Sequence, residues 1–189
     1  MKLDIILAGV GGQGILSIST IIGEAAVQKG LYLKQAEVHG MSQRGGEVQS
    51  HLRISDKPIH SDLIQKGKAH LIISIEPLES LRYLSYLNPE GWLITNTNPF
   101  INIPNYPDIQ KVLSEIKALP NHVMLDADKI AKELGSALAM NMVMLGAASK
   151  FIDIEYSALE DAIRTIFGSK GEKIVKMNLD ALKAGREAK

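Results

Sequence analysis

The first residues that could do chemistry form the glycine-rich sequence GVGGQG at positions 9–14, which satisfies the pattern G-x-G-x-x-G. An apolar run precedes it and a helical pattern follows it, and this context favours a ligand loop over a chance match. Glycine permits positive φ and lets a ligand approach the backbone, and the free amides of a following helix N-terminus attract phosphate or carboxylate. The pattern therefore predicts contact with an anion or cofactor; the alternative is a tight strand-to-helix turn alone.

A dinucleotide site requires a second feature, an acidic residue near the end of the next strand that binds the ribose. Glu37 is the candidate, although it lies further from Gly9 than the roughly 20 residues that the dinucleotide fingerprint expects. A stand-alone NAD(P)- or nucleotide-binding Rossmann module therefore stays open as the alternative function. ATP hydrolysis has no support, because the loop lacks the G-K-[ST] ending of a P-loop.

The second candidate is the sequence HGMSQRGG at 39–46, which combines one fixed cation with hydroxyl, amide and imidazole groups and three glycines. It follows the second predicted strand at the carboxyl edge of the sheet, where the ligands of α/β proteins bind. Arg44 could hold a phosphate or carboxylate with two parallel hydrogen bonds, or it could pair with an acid across a subunit interface. A tight crossover held by its own hydrogen bonds is the third possibility.

Composition excludes several classes of chemistry. The chain of 189 residues has no cysteine, so it offers no disulfide, no thiolate zinc site, no cysteine nucleophile and no thiolate ligand for an iron–sulfur cluster. None of its five histidines has metalloprotease spacing to a carboxylate, and we expect no metal site. Lys plus Arg and Asp plus Glu balance at 21 each, which argues against a nucleic-acid partner.

The charge and hydropathy patterns also bear on location. No apolar run approaches the roughly 20 residues that cross a bilayer, and the acid at position 4 interrupts the first apolar stretch. We therefore expect no signal peptide, no membrane contact and a cytoplasmic location. The balanced charge leaves little electrostatic repulsion against docking on a partner.

Apolar runs alternate with helical patterns, and these predict the elements that position the two loops. Residues 48–54 alternate with the period of a half-exposed strand, which predicts an antiparallel element near residues 47–60. We predict a single α/β domain over residues 1–189 with a Rossmann-like three-layer fold, a mostly parallel sheet and a helical C-terminal part over 136–189. The other strands are expected at 5–8, 31–38, 71–75, 92–95 and 122–125.

Local signals predict where several helices begin and end. The first helix should run from about residue 13 to residue 29, where Gly30 stops it. Asp126 is placed to cap a later helix. The pattern S-x-x-E at 157–160 and at 169–172 predicts capping boxes at the start of the last two helices.

Three predictions concern which side chains face the core. We expect Leu16 on the inner side of the first helix and His51 on the polar side of its strand. The Met-rich helix at 140–151 should either fill the core or form a docking face, since Met packs adaptively.

Together the two loops resemble a known family. The sequence GVGGQG at 9–14 followed by HGMSQRGG at 39–46 is similar to the γ-type domain of 2-oxoacid:ferredoxin oxidoreductases, especially the small (β) subunits of the indolepyruvate type. Further matching stretches are 61–64, 76–83 and 91–96, so the likeness extends over most of the chain. Many relatives have Ser-Pro where this chain has Ser-Asp at 61–62, which is a minor departure.

The resemblance implies one subunit of an enzyme that oxidatively decarboxylates a 2-oxoacid, here indolepyruvate or another aryl pyruvate. The products would be an acyl-CoA, carbon dioxide and reduced ferredoxin. The complex would use thiamine diphosphate, magnesium, iron–sulfur clusters and CoA. We expect none of these to be bound by this chain alone, because it has no cysteine and no Gly-Asp-Gly opening of a thiamine diphosphate motif.

The expected partner is therefore a large subunit that holds thiamine diphosphate and the clusters, with ferredoxin bound through the complex. The isolated chain should be inactive, and we assign it no catalytic residue. The 2-oxoacid that is used should be determined mainly by the large subunit. The candidates for binding CoA or another anion, or for a subunit interface, are Gly9, Gly11, Gly12, Gln13, Gly14, His39, Gly40, Met41, Ser42, Gln43, Arg44, Gly45 and Gly46.

Overall fold

Six segments of the chain pair into one sheet in the computed structural model, which describes residues 1–39, 45–101 and 103–188. The strands are β1 (Lys2–Val10), β2 (Tyr32–His39), β3 (Glu47–Ser55), β4 (Ala69–Ser74), β5 (Leu87–Asn96) and β6 (His122–Leu125). The helices are α1 (Ile15–Gln28), α2 (Pro77–Arg82), α3 (Ile109–Lys117), α4 (Ala127–Glu133), α5 (Met140–Ala148), α6 (Tyr156–Phe167) and α7 (Glu172–Glu187).

The strand order is β2-β3-β1-β4-β5-β6, and most of the sheet is parallel. Strands β1, β4, β5 and β6 run in the same direction. Strand β3 is antiparallel to both of its neighbours, β1 and β2, over its whole length. The predicted mostly parallel sheet with an antiparallel element is therefore confirmed, and that element separates β2 from β1.

Helices cover both faces of the sheet and form the predicted three layers. On one face α1 and the four helices from α4 to α7 bury a large core against Ile5, Leu7, Leu52 and Ile73. On the other face α2 and α3 pack on a smaller core around Ile6 and the neighbouring strands. Because both faces are covered, the central strands are apolar on both sides, as parallel sheets require.

The helix boundaries follow local signals in several places. Gly30, with φ +72°, follows α1 and ends it, as predicted. The Asp126 carboxylate accepts a hydrogen bond from the Lys129 amide and caps α4, also as predicted. Both predicted capping boxes are wrong: α6 starts at Tyr156, before Ser157, and the cap residue of α7 is Gly171 rather than Ser169.

Helix α5 is a core helix. Every residue from Met140 to Ala148 except Asn141 is buried, so of the two alternatives for the Met-rich helix the core is correct. It crosses α7 at very close range through Gly146 on one helix and Gly185 on the other. In the described part of the chain, no helix combines the length and apolar character that crossing a bilayer requires.

His51, which was predicted to lie on the polar side of β3, is buried instead. His51 is 2% exposed; its Nδ1 accepts a hydrogen bond from the Ile64 amide at 2.9 Å, and its ring meets Tyr86 edge-on. The prediction failed because β3 is an internal strand and the segment after it folds back over that face. Burial, and secondarily the charge of Arg53, lowers the pKa of His51, which favours the neutral ring.

The acid in the first apolar stretch forms a buried ion pair. Asp4 on β1 is 1% exposed and accepts hydrogen bonds from Arg53 Nε at 2.7 Å and Nη2 at 3.3 Å. Arg53 also donates to the carbonyls of Ser61 and Leu63, so the pair ties the segment after β3 to the sheet. Removal of one partner would leave a buried charge without compensation.

We predict that Asp4→Asn lowers the free energy of unfolding by about 2–3 kcal/mol, because Arg53 loses its counter-ion; breaking fully buried pairs costs about 3–5 kcal/mol. The estimate lies below that range because Arg53 keeps 16% of its side chain in solvent. Urea unfolding of the two proteins measures the change. The control is Asp180→Asn in the exposed pair with Lys176, which should cost at most about 0.5 kcal/mol; equal losses would contradict the prediction.

Candidate functional site

The two glycine loops meet at the carboxyl end of β1. The Gly11 amide donates to the Gly46 carbonyl at 2.8 Å, and the Gly45 amide donates to the Gly11 carbonyl at 3.4 Å. Antiparallel β3 starts opposite the end of β1, with Glu47 paired to Val10, so the β2–β3 connection lies at the same edge. The predicted adjacency of the two loops is thus present in the described part of both.

The glycines of the first loop have different roles. A Cβ at Gly9 would lie 2.7 Å from Ile15 Cδ1, so this glycine permits close packing of α1 on β1. A Cβ at Gly12, by contrast, would have nothing within 4 Å. Gly12 has φ +100°, a conformation that favours glycine for its backbone rather than for lack of space. Its open side is where a ligand could approach the loop.

Gln13 braces the loop from within. Its Oε1 accepts a hydrogen bond from the Val10 amide at 2.8 Å, and its own amide donates to the Val10 carbonyl at 3.1 Å. The side chain therefore replaces ladder hydrogen bonding at the end of β1 and fixes the turn. This gives Gln13 a structural role in the loop and directs its amide oxygen to the backbone.

The N-terminus of α1 has the electrostatics of an anion site. Its cap residue, Gly14, has φ +80° and no side chain that could accept from the first amides, and the first turn has no acid. The helix is 14 residues long, so its macrodipole places partial positive charge at this end. Leu16 is 46% exposed beside it, which corrects the prediction that it faces inward; the buried stripe starts at Ile15 and continues at Ile18.

Asn141 is the residue at this site that sequence reasoning missed. Its Nδ2 donates to the Gly14 carbonyl at 3.2 Å, and its Oδ1 accepts from the Met142 amide at 2.9 Å. A Cβ at Gly14 would lie 2.6 Å from Asn141 Nδ2, so the third glycine of the pattern makes room for this contact. The signal in the sequence was present: Asn141 is the one polar side chain in the segment MNMVMLGAA of α5.

The segment that follows β5 and contains Phe100 and Tyr106, called the polar strap below, is bonded to Glu76 after the carboxyl end of β4. Glu76, 1% exposed, caps α2 by accepting from the Glu79 amide at 2.8 Å, and its other oxygen accepts from the Phe100 amide and from the Tyr106 hydroxyl. Burial, followed by the hydrogen bond to Glu76, raises the pKa of Tyr106, so the phenol remains a proton donor to the carboxylate.

Asn96 fastens the start of the same strap. Its Nδ2 donates to Asp128 at 2.8 Å and to the Ile75 carbonyl at 3.2 Å, while its Oδ1 accepts from the Ala127 amide. The segment after β5 is therefore tied across β4, β5 and the start of α4.

The structure describes only some of the remaining predicted site residues. His39 is the last residue of β2, whereas Gly40 to Arg44 lie outside the described residues. Glu37 is exposed on β2, which β3 separates from β1. With about 4.8 Å between neighbouring strands, Glu37 is two strand spacings from the glycine loop, unlike the adjacent acid of a dinucleotide fold. The NAD(P)-module alternative is therefore not favoured.

The structure thus brings a glycine loop and the positive end of a helix dipole together at one place. Among the described residues, no three His, Cys, Asp or Glu side chains lie together as metal ligands would. Comparison with known proteins identifies the family of the chain. The family described as pyruvate ferredoxin/flavodoxin oxidoreductase matches residues 4–188. The chain belongs to this family.

Curated members of the oxidoreductase family match the chain along nearly its full length. Indolepyruvate oxidoreductase subunit IorB of Archaeoglobus fulgidus is 40% identical, and the alignment covers 98% of this chain and 94% of that protein. The subunit of the same name from Methanothermobacter thermautotrophicus is 36% identical over 98% of this chain and 96% of its own. The resemblance that the two glycine loops indicated is confirmed.

Solved structures of the oxidoreductase family have the same fold. Subunit PORC of the pyruvate oxidoreductase of Thermotoga maritima superposes with a TM-score of 0.74 at 23% identity, covering 98% of this chain and 96% of that chain. The 2-oxoglutarate:ferredoxin oxidoreductase of Magnetococcus marinus gives a TM-score of 0.77 at 24% identity; the match covers 98% of this chain but only 30% of that longer chain. At these identities the structures establish the fold alone.

Proposed function

We propose that this chain is the small subunit of an indolepyruvate ferredoxin oxidoreductase. The complex would oxidatively decarboxylate indolepyruvate or another aryl pyruvate to an acyl-CoA, with the electrons passing to ferredoxin. The observation that supports this most is the 40% identity to an IorB subunit over 98% of the chain. Relatives named for pyruvate and ketoisovalerate are more distant, as in the common subunit γ of Pyrococcus furiosus at 29%.

The absence of cysteine supports the proposal that a partner subunit carries the redox chemistry. Iron–sulfur clusters are held by thiolates, and this sequence has no cysteine. Thiamine diphosphate would supply the carbanion chemistry and the clusters would accept electrons, both in a separate large subunit. The small subunit is inactive alone in this proposal and acts in the cytoplasm as part of the complex.

The two glycine loops are the surface that this chain contributes to the complex. The open side of Gly12 and the uncapped N-terminus of α1 favour a negatively charged group. Two groups fit: the phosphates of CoA, or a carboxylate of the large subunit. Arg44 immediately precedes Gly45 and Gly46 in the sequence, and these two glycines are bonded to Gly11, so Arg44 is the proposed cationic partner of that group.

Substitution of Arg44 decides between the two groups. If Arg44 binds CoA, Arg44→Ala in the co-expressed complex should raise the apparent KM for CoA on the order of ten- to a hundred-fold, since a charge-assisted hydrogen bond contributes about 1.5–3 kcal/mol. Arg44→Lys keeps the charge but loses the planar fork, and should raise the KM less. Steady-state kinetics with varied CoA measures both.

If Arg44 docks the large subunit instead, Arg44→Ala should weaken association while CoA saturation of the remaining complex is unchanged. The control is Arg164→Ala, which removes an exposed arginine on α6 that pairs with Asp161. Unaltered KM and unaltered association in Arg44→Ala would contradict both roles and leave the loop a purely local one.

A further inference from the structure

Asn141 connects the glycine loop to α5, the core helix that crosses α7 at close range. Its side chain donates to the Gly14 carbonyl, the residue at which α1 starts, and accepts from the amide at the start of α5. The other residues of α5 are buried, whereas Asn141 is only partly buried. An amide in this place both orients a backbone carbonyl and stays next to the open side of the loop.

Helix α5 packs backbone against backbone on α7. A Cβ at Gly146 would come within 2.9 Å of the Leu182 carbonyl carbon, and one at Gly185 within 2.7 Å of the Val143 carbonyl carbon. The two helix backbones are thus in direct contact. Interiors packed as closely as this have low compressibility. Asn141 therefore reaches the loop from a closely packed helix, through its 3.2 Å hydrogen bond to the Gly14 carbonyl.

The Gly14 carbonyl belongs to the same planar peptide unit as the Ile15 amide, the first amide of α1, and it also accepts a hydrogen bond from the Ser17 amide at 3.1 Å. Gly14 has φ +80° and Gly12 has φ +100°, and both values lie in the region that favours glycine. In the first loop, Gln13 holds the strand side through Val10, and Asn141 holds the helix side through Gly14. Between these two tethers lies Gly12, the position with open space.

We infer that Asn141 is a positioning residue that keeps the amides of the first glycine loop aimed at the bound anion, which under the proposed function is a phosphate group of CoA. Preorganised amides bind an anion without a reorganisation cost at the moment of binding. Without this hydrogen bond the loop samples other conformations, and the free energy needed to order it weakens the binding of the anion. The effect should fall on CoA affinity and not on the turnover rate at saturating CoA.

The experiment uses the co-expressed complex with Asn141→Ala and Asn141→Asp. Asn141→Ala should raise the apparent KM for CoA roughly three- to ten-fold, the effect of one neutral hydrogen bond, with kcat unchanged. Asn141→Asp keeps the shape but replaces the donor with a carboxylate beside the N-terminus of α1, so it should raise the KM further. Calorimetric titration of the complex with CoA alone gives the same comparison without turnover.

The matched control is Asn178→Ala. Asn178 is 6% exposed on α7 and its amide donates to the Ile174 carbonyl, so the change removes a similar hydrogen bond away from the loop. It should lower Tm while the KM for CoA stays unchanged. If Asn141→Ala behaves like this control, with lower Tm and unaltered KM, the positioning role is overturned.

A second comparison separates this inference from the proposed function. Gly12→Asp places a carboxylate on the open side of the loop and should raise the KM for CoA whatever Asn141 does. If Gly12→Asp raises the KM and both Asn141 variants do not, the inference fails and CoA binding at the loop stands. If none of the three variants changes the KM, CoA binding at the loop fails and the inference falls with it.

Discussion

Alanine at Gly185 or Gly146 is expected to unfold the small subunit or nearly so. The new Cβ at Gly185 would lie 2.7 Å from the Val143 carbonyl carbon and closer still to its oxygen, and the Cβ at Gly146 would meet the Leu182 carbonyl in the same way. These are backbone atoms, so no side-chain rotation relieves the clash, and α5 and α7 must separate. Since both helices belong to the main core, we expect a loss of about 4 kcal/mol or more for each variant.

Urea unfolding or soluble yield measures this loss, and Gly168→Ala is the control. Gly168 has φ −56° at the end of α6, and a Cβ there would have nothing within 4 Å. That variant should be neutral or slightly stabilising, because alanine restricts the unfolded chain. A loss below about 1 kcal/mol for Gly185→Ala would show that the two helices do not cross at this distance.

Gly12→Asp is expected to abolish most anion binding at the first loop and to cost some stability through backbone strain, because Gly12 has φ +100°, a conformation that favours glycine. A Cβ at Gly12 would have no described atom within 4 Å, so no clash is expected where the side chain leaves the backbone. Its carboxylate lies near the N-terminus of α1, where the helix dipole stabilises it. There it repels an incoming phosphate. We expect the KM for CoA to rise about a hundred-fold, a loss of about 3 kcal/mol that combines the missing charge attraction with the new repulsion.

The control for Gly12→Asp introduces the same side chain at another positive-φ glycine in a distant place. Gly67 also has positive φ, +72°, and open space around its Cβ, but it lies before β4 at the opposite edge of the sheet. Gly67→Asp should lose a similar amount of stability through strain and leave the KM for CoA as it is. A KM that rises equally in both variants would mean that strain, and not the local charge, is responsible.

Much of this architecture could be predicted from local sequence. The run before Gly9, the glycines themselves and the stop at Gly30 predict β1, the loop and α1, because each is determined by its own residues. The two-residue alternation of 48–54 predicts the antiparallel strand for the same reason. The resemblance of the two loops then indicates the family, and the full-length matches confirm it.

The missed features depend on residues distant in sequence. His51 was expected on a polar face, and burial of that face depends on the segment that packs over it. Asn141 stands out as the one polar residue of α5, but its partner Gly14 lies 127 residues away, so the local sequence does not indicate which residue it contacts. Ser157 and Ser169 have capping-box spacing, but the chain enters both helices at other residues.

The central claim, that this chain is the small subunit of a two-component 2-oxoacid oxidoreductase, is tested most directly by reconstitution. Each subunit is purified separately, and indolepyruvate- and CoA-dependent reduction of ferredoxin is measured for the small subunit, for the large subunit and for the mixture. We predict activity in the mixture, none in the small subunit, and faster turnover of indolepyruvate than of pyruvate or 2-oxoglutarate. Turnover by the small subunit alone, or full activity of the large subunit without it, would contradict the claim.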